Sequence, residues 1–106
     1  MFFEIKEYIE NGESFFGKWF DGLDPVMAAR VDRCIRRMEA GNFGATKALK
    51  HGVFELRLNF GPGYRVYYGI DGKRLVILLG GGDKRRQSAD IALAVKHWQL
   101  YRKGKV

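Results

Sequence analysis

The 106 residues carry 19 Lys and Arg against 12 Asp and Glu, a net charge of +7, with a single Cys. One cysteine can neither close an intrachain disulfide nor build a cysteine-based zinc site, which excludes a stapled secreted scaffold and a zinc finger. The length suits a single domain over 1–106, and a 46% hydrophobic share with eight Phe, five Tyr and two Trp is enough to form a core, which excludes wholesale disorder.

The excess charge points to an anionic partner. It is unevenly spread: residues 1–24 sum to −4, 25–82 to +6 and 83–106 to +5. Glu4, Lys6, Glu7 and Glu10 interrupt the start, so no apolar leader is visible. Leu75–Leu79, the longest apolar run, is too short for a bilayer. The expectation is a cytoplasmic protein without a membrane partner.

Phe2–Ile9 reads as a first strand, ended by Asn11-Gly12. Ser14 then caps a short helix with Phe15, Phe16, Trp19, Phe20 and Leu23 on its apolar face. Asp24-Pro25 opens a second helix, an N-cap acid followed by proline at the first position. Met27, Val31, Cys34, Ile35 and Met38 line one side of it, and Arg30, Arg33 and Arg37 another. Gly41-Asn42 stops it. The two helices read as a helical hairpin.

From Val53 the period becomes two. Phe54, Leu56, Leu58 and Phe60 alternate with Glu55, Arg57 and Asn59, a strand with one buried and one polar face. Gly61-Pro62-Gly63 turns into Tyr64–Ile70, and Asp71-Gly72 is a hairpin signal before Leu75–Leu79. Gly80-Gly81-Gly82 leads off the sheet. Ser88 is placed to cap a last helix bearing Ile91, Ala94, Val95, Trp98 and Tyr101. Lys96, Arg102, Lys103 and Lys105 crowd its end. The order is β-α-α-β-β-β-α, an α+β fold with a mainly antiparallel sheet.

A three-residue loop at Gly61–Gly63 would pair Asn59 with Arg65, Arg57 with Tyr67 and Glu55 with Gly69, all on one face. Two guanidiniums beside a phenol suit a phosphodiester, because arginine grips phosphate oxygens bidentately. The plainer alternative is a solvated face of paired charges. Lys84, Arg85 and Arg86 follow the glycine run, where backbone N–H groups and cations can receive phosphate. They serve equally as a solubilising run. Arg30, Arg33, Arg36 and Arg37 read as a nucleic-acid or acidic-partner surface, or simply as a wet helix face. Cys34 reads as a structural thiol. His51 and His97 are far apart without clustered carboxylates, so no metal or cofactor is expected. His51 remains an acid/base candidate, and Asp90 sits favourably in the first turn of the last helix.

The segments GNFG (41–44), GVFELRLNFGPGYRVYY (52–68) and LLGGGDKRRQSADI (78–91) closely resemble the RelE/ParE toxin superfamily, nearest to the HigB-like addiction module killer proteins. The resemblance covers nearly the whole chain. It implies a compact RelE-like fold and a type II toxin–antitoxin toxin that cuts mRNA on the translating ribosome without a metal. It implies a cognate antitoxin, often a helix-turn-helix DNA-binding protein, with ribosome and mRNA as the other partners. Position by position it gives Arg65 as the phosphate clamp, Arg85 with Lys84 as the basic run, and Arg57 as the arginine of ELR. Two family positions differ: the RelE strand lysines fall on Val53 and Glu55, and the C-terminal tyrosine on Ile91. Glu55, Tyr67, His51 and Asp90 are the groups that could take over their proton chemistry. A ParE-like inhibitor of DNA gyrase, and a non-toxic module binding antitoxin or RNA, are the alternative functions.

Overall fold

In the computed structural model, which describes residues 2–104, Glu4–Glu7 forms β1. Lys105 lies outside the described residues. The expected strand to Ile9 breaks after Glu7. Asn11-Gly12 instead turns β2 (Ile9–Glu10) tightly onto β3 (Glu13–Ser14), a separate two-stranded ribbon. The Ser14 hydroxyl accepts from Gly17 N at 2.8 Å and starts α1 (Phe15–Asp21) as expected. The Asp24 carboxylate accepts from Met27 N at 3.1 Å, Pro25 takes the first turn, and α2 runs Pro25–Glu39. Val31, Ile35 and Met38 are its buried residues.

Four further strands follow: β4 (Ala45–Ala48), β5 (Phe54–Arg57), β6 (Arg65–Asp71) and β7 (Leu75–Gly82). The sheet order is β1-β7-β6-β5-β4, with β1 parallel to β7 and the other pairs antiparallel. The sheet is thus mainly antiparallel, as expected, with one parallel edge. β4 was not expected. Ala-Thr-Lys-Ala is short and lacks apolar alternation, and only its place at the sheet edge makes it a strand.

The β5–β6 register differs by two from the expected one. Arg57 pairs with Arg65, Leu56 with Val66, Glu55 with Tyr67 and Phe54 with Tyr68. The loop spans five residues, closed by Leu58 N donating to Tyr64 O at 2.9 Å. Gly61 and Gly63 both take positive φ (65° and 76°), a backbone that L side chains rarely adopt, and this widens the turn. A shift of two preserves the faces and changes the partners.

The glycine run does not leave the sheet. Gly80, Gly81 and Gly82 pair with Tyr67, Val66 and Arg65, and a register irregularity beside Leu79 absorbs one extra residue. Past it, a Cβ on Gly81 would strike the Trp19 ring, and one on Gly82 would strike the Asp90 carboxylate. Helices approach both faces here so closely that only glycine fits.

Two cores result. Phe16, Val31, Ile35 and Met38 of α1 and α2 pack on Leu56, Leu58, Val66, Tyr68, Val76 and Leu78. Ala94 and Trp98 of α3 (Gln87–Lys103) pack on Val53, Tyr67, Ile77 and Leu79 of the opposite face. The polar face expected on β5 is therefore covered: Glu55 is 1% exposed and Arg65 5%. Ser88 is not the helix cap. Asp83 accepts from Arg85 N at 3.0 Å and caps a 3-10 turn, Lys84–Arg86, that runs directly into α3. Among the described residues no helix is long and apolar enough to cross a membrane.

Candidate phosphate-binding cleft

On the α3 face the registers line up two rows across four strands. One row is Ala45, Arg57, Arg65 and Gly82, and the next is Lys47, Glu55, Tyr67 and Gly80. Neighbouring strands are about 4.8 Å apart, so Arg57 and Arg65 start from adjacent backbones. Like charges in this position repel, and the second row supplies the relief. Arg65 Nε lies 3.6 Å from Glu55 Oε2. Arg65 Nη1 donates to Gly63 O at 2.6 Å, and Gln87 Nε2 donates to Glu55 Oε2 at 2.8 Å. A buried charge is tolerated only with such partners. The first residue of α3 thereby ties the helix to the ion pair.

Above this pair lies a cleft of about 390 Å³, lined by Arg57, Asn59, Phe60, Tyr64, Arg65 and Lys84 together with the loop glycines. Lys84 enters from the 3-10 turn after β7, its Cβ close to Gly63. Arg57 and Lys84 are exposed and Arg65 is held below them. Three cations from three segments thus converge on one concave surface. It can hold a phosphodiester and stabilise added negative charge on it.

The other expected site residues lie elsewhere. Arg85 points outward, its side chain 87% exposed, and pairs with Asp83 at 3.2 Å. Arg86 is exposed, and its charge acts on Asp90, whose carboxyl burial pushes above the usual range while Arg86 opposes the shift. Asp90 and Tyr67 line a different, small pocket of about 110 Å³ with Phe15 and Leu93. Tyr67 is fully buried, and its hydroxyl has no hydrogen-bond partner among the described residues. Burial suppresses its ionisation, pushing its pKa well above the usual phenol range, and the Glu55 and Asp90 carboxylates add to this while Arg65 opposes it. Tyr67 therefore stays a neutral phenol. His51 sits exposed in the turn before β5, outside the lining of the cleft.

The phenol lining the cleft is Tyr64, edge-on to Trp19 and Phe60 with ring centroids 5.7 and 6.2 Å apart. Spacing did not single it out, because the three-residue loop placed it at the turn. Gln87 carried no sequence signal, since its partner lies 32 residues away. Among the described residues no three His, Cys, Asp or Glu side chains are grouped so as to hold a metal ion.

Comparison with known proteins bears on the same region. The family model described as "Phage derived protein Gp49-like" matches residues 18–99. An uncharacterized protein of Haemophilus influenzae is 45% identical over 80 residues, covering 74% of this chain and 81% of the relative. Among solved structures, a double-arginine mutant of the E. coli toxin RelE in the free state superimposes with a TM-score of 0.69. It covers 91% of this chain and 97% of that one at 18% identity, which establishes a RelE-like fold.

Proposed function

The chain belongs to the Phage derived protein Gp49-like family, and from that premise we propose that it is the toxin of a type II toxin–antitoxin module, an endoribonuclease cutting mRNA on the translating ribosome. The observation that carries this is the convergence of Arg57, Arg65 and Lys84 on one cleft of a RelE-like fold. In this reading the ribose 2′-OH attacks the adjacent phosphorus and the bond to the 5′ oxygen breaks. A 2′,3′-cyclic phosphate and a 5′-hydroxyl result. The attacking oxygen loses its proton and the leaving oxygen gains one. Arg57 and Lys84 hold the nonbridging oxygens, and Arg65 stabilises the charge that builds on them. Tyr64, lining the same cleft, is the phenol that would give a proton to the leaving oxygen. Glu55 and Tyr67, buried behind Arg65, act as positioning residues. Arg85 and Arg86 add field rather than contact.

The same reading supplies the partners. A cognate antitoxin, expected to be a helix-turn-helix DNA-binding protein, silences the toxin in the cytoplasm, and the ribosome presents the substrate. Induction of the protein alone, with primer extension on host mRNAs, tests it. New 5′ ends within coding regions should appear and should vanish in Arg57→Ala/Lys84→Ala. Arrest without such ends, accompanied by loss of DNA supercoiling, would overturn it in favour of gyrase inhibition.

A further inference from the structure

A second cleft of about 290 Å³ adjoins the first and shares Arg57, Asn59 and Phe60 with it. Its far wall is α2, which contributes Arg30, Arg33 and Arg37. That spacing puts the three on one helical face, in steps of about 4.5 and 6 Å along the axis. The helix neutralises its remaining arginine: Arg36 reaches Glu39 at 2.6 Å and Asp32 at 3.7 Å. Among the described residues no ion pair reaches Arg30, Arg33 or Arg37. Where the clefts meet, the Arg30 guanidinium lies 4.1 Å from the Phe60 ring centroid. This makes a flat cationic and aromatic surface of the kind on which a base stacks.

We propose that the α2 groove is a second subsite for the same RNA strand. It would take nucleotides flanking the scissile phosphate, with Arg33 and Arg37 on backbone phosphates and the Arg30–Phe60 pair under a base. This rests on reading the Arg57 cleft as a phosphate site. RNA is favoured over an acidic protein by continuity: Arg57 belongs to both clefts, so a strand leaving the first enters the second without crossing a neutral gap. The aromatic platform is also of no use to a carboxylate-rich chain.

The test uses the full chain and fluorescein-labelled 2′-O-methyl oligoribonucleotides of three and nine nucleotides, which cannot be cleaved, titrated across KCl concentrations. The wild type should bind the nine-mer more tightly. Arg33→Ala/Arg37→Ala should erase that advantage and lower the log–log salt slope by about 1.4, the value for two lost single-strand phosphate contacts. Its three-mer binding and melting temperature should not change, since both side chains are exposed. Arg57→Ala should weaken both oligonucleotides. Equal binding of the two lengths by the wild type would overturn the proposal, as would full nine-mer affinity in the double variant. So would displacement of the nine-mer by a glutamate-rich peptide of equal charge at lower concentration. A length-dependent pattern in a protein that makes no mRNA ends in cells would sink the nuclease reading and leave the subsite standing.

Discussion

Arg65 and Glu55 form an ion pair, 3.6 Å from Nε to Oε2, with side chains 6% and 2% exposed. Arg65→Ala strands the Glu55 carboxylate in a buried site beside Gln87. The expected loss is about 3–5 kcal/mol, read as a lowered denaturation midpoint in urea. Replacing both partners by apolar residues of similar size, Arg65→Met with Glu55→Leu, should recover most of that stability without restoring toxicity. A single Arg65→Ala variant of wild-type stability would refute the pairing.

Arg57 and Lys84 allow a cleaner separation. Both are exposed and neither has an ion pair among the described residues. Each alanine variant should stay within about 0.5 kcal/mol of wild-type stability while growth arrest on induction is relieved. Arg85→Ala, whose side chain already faces Asp83 and solvent, should leave arrest nearly intact. Reversal of that ranking in a growth assay would move the working cations to the turn before α3.

The two tyrosines should part in the same way. Tyr67→Phe removes a buried hydroxyl that has no hydrogen-bond partner among the described residues, so stability should hold or rise by about 1 kcal/mol. Toxicity should persist. Tyr64→Phe should instead slow cleavage with no change in the melting curve. Loss of toxicity in Tyr67→Phe at normal stability would return the proton chemistry to the buried phenol.

Three adjacent glycines make a graded prediction about packing. A Cβ at Gly80 meets nothing within 4 Å, one at Gly81 strikes the Trp19 ring, and one at Gly82 strikes Asp90. Gly80→Ala should be close to neutral, while Gly81→Ala and Gly82→Ala should each cost about 1–3 kcal/mol. Thermal unfolding of the three variants in parallel checks the order.

That run also shows where the sequence was legible. Ser14, Asp24 and Pro25 mark their helix starts through short-range chemistry, and the capping bonds are present. The Gly61–Gly63 turn was visible but its width was not, because width depends on backbone angles that residue type permits without dictating. Gly80–Gly82 resembled an exit from the sheet, since the reason for glycine lies in Trp19 and Asp90, far away in the chain. At the site, parity put Arg57, Arg65, Glu55 and Tyr67 on one face correctly. Alternation could not reveal that α3 covers half of that face, burying Glu55 and Tyr67 and leaving Arg57 at the rim.

His97 supplies a pH dependence. It is buried between Tyr8 and Phe15, with ring centroids 5.0 and 4.4 Å away, and its Nε2 stands 3.8 Å from Glu10 Oε2. Burial pushes its titration below the usual range; Glu10 opposes this and Lys96 adds to it. The unfolded chain then takes the proton first, at about pH 6.5. Stability contributed by neutral His97 is present above that pH and declines as pH falls toward the lowered folded value. The wild type should therefore lose more stability between pH 7 and 5 than His97→Gln, a difference in which Asp90 and the other carboxylates cancel. Parallel pH profiles for the two would show that the folded protein protonates His97 freely.

The parallel pairing of β1 with β7 has a kinetic consequence. Glu4 and Leu75 are register partners separated by about seventy residues, so the edge of the sheet closes only through a long loop. During synthesis the first strand must wait, unpaired, until most of the polypeptide has emerged. Gly82, Lys84 and Gln87, which complete the cleft and its support, are made later still. A chain interrupted between Arg65 and Gly82 therefore carries Arg57 and Arg65 without the scaffold that aims them. The cleft is therefore among the last features of this domain to be assembled as the polypeptide emerges.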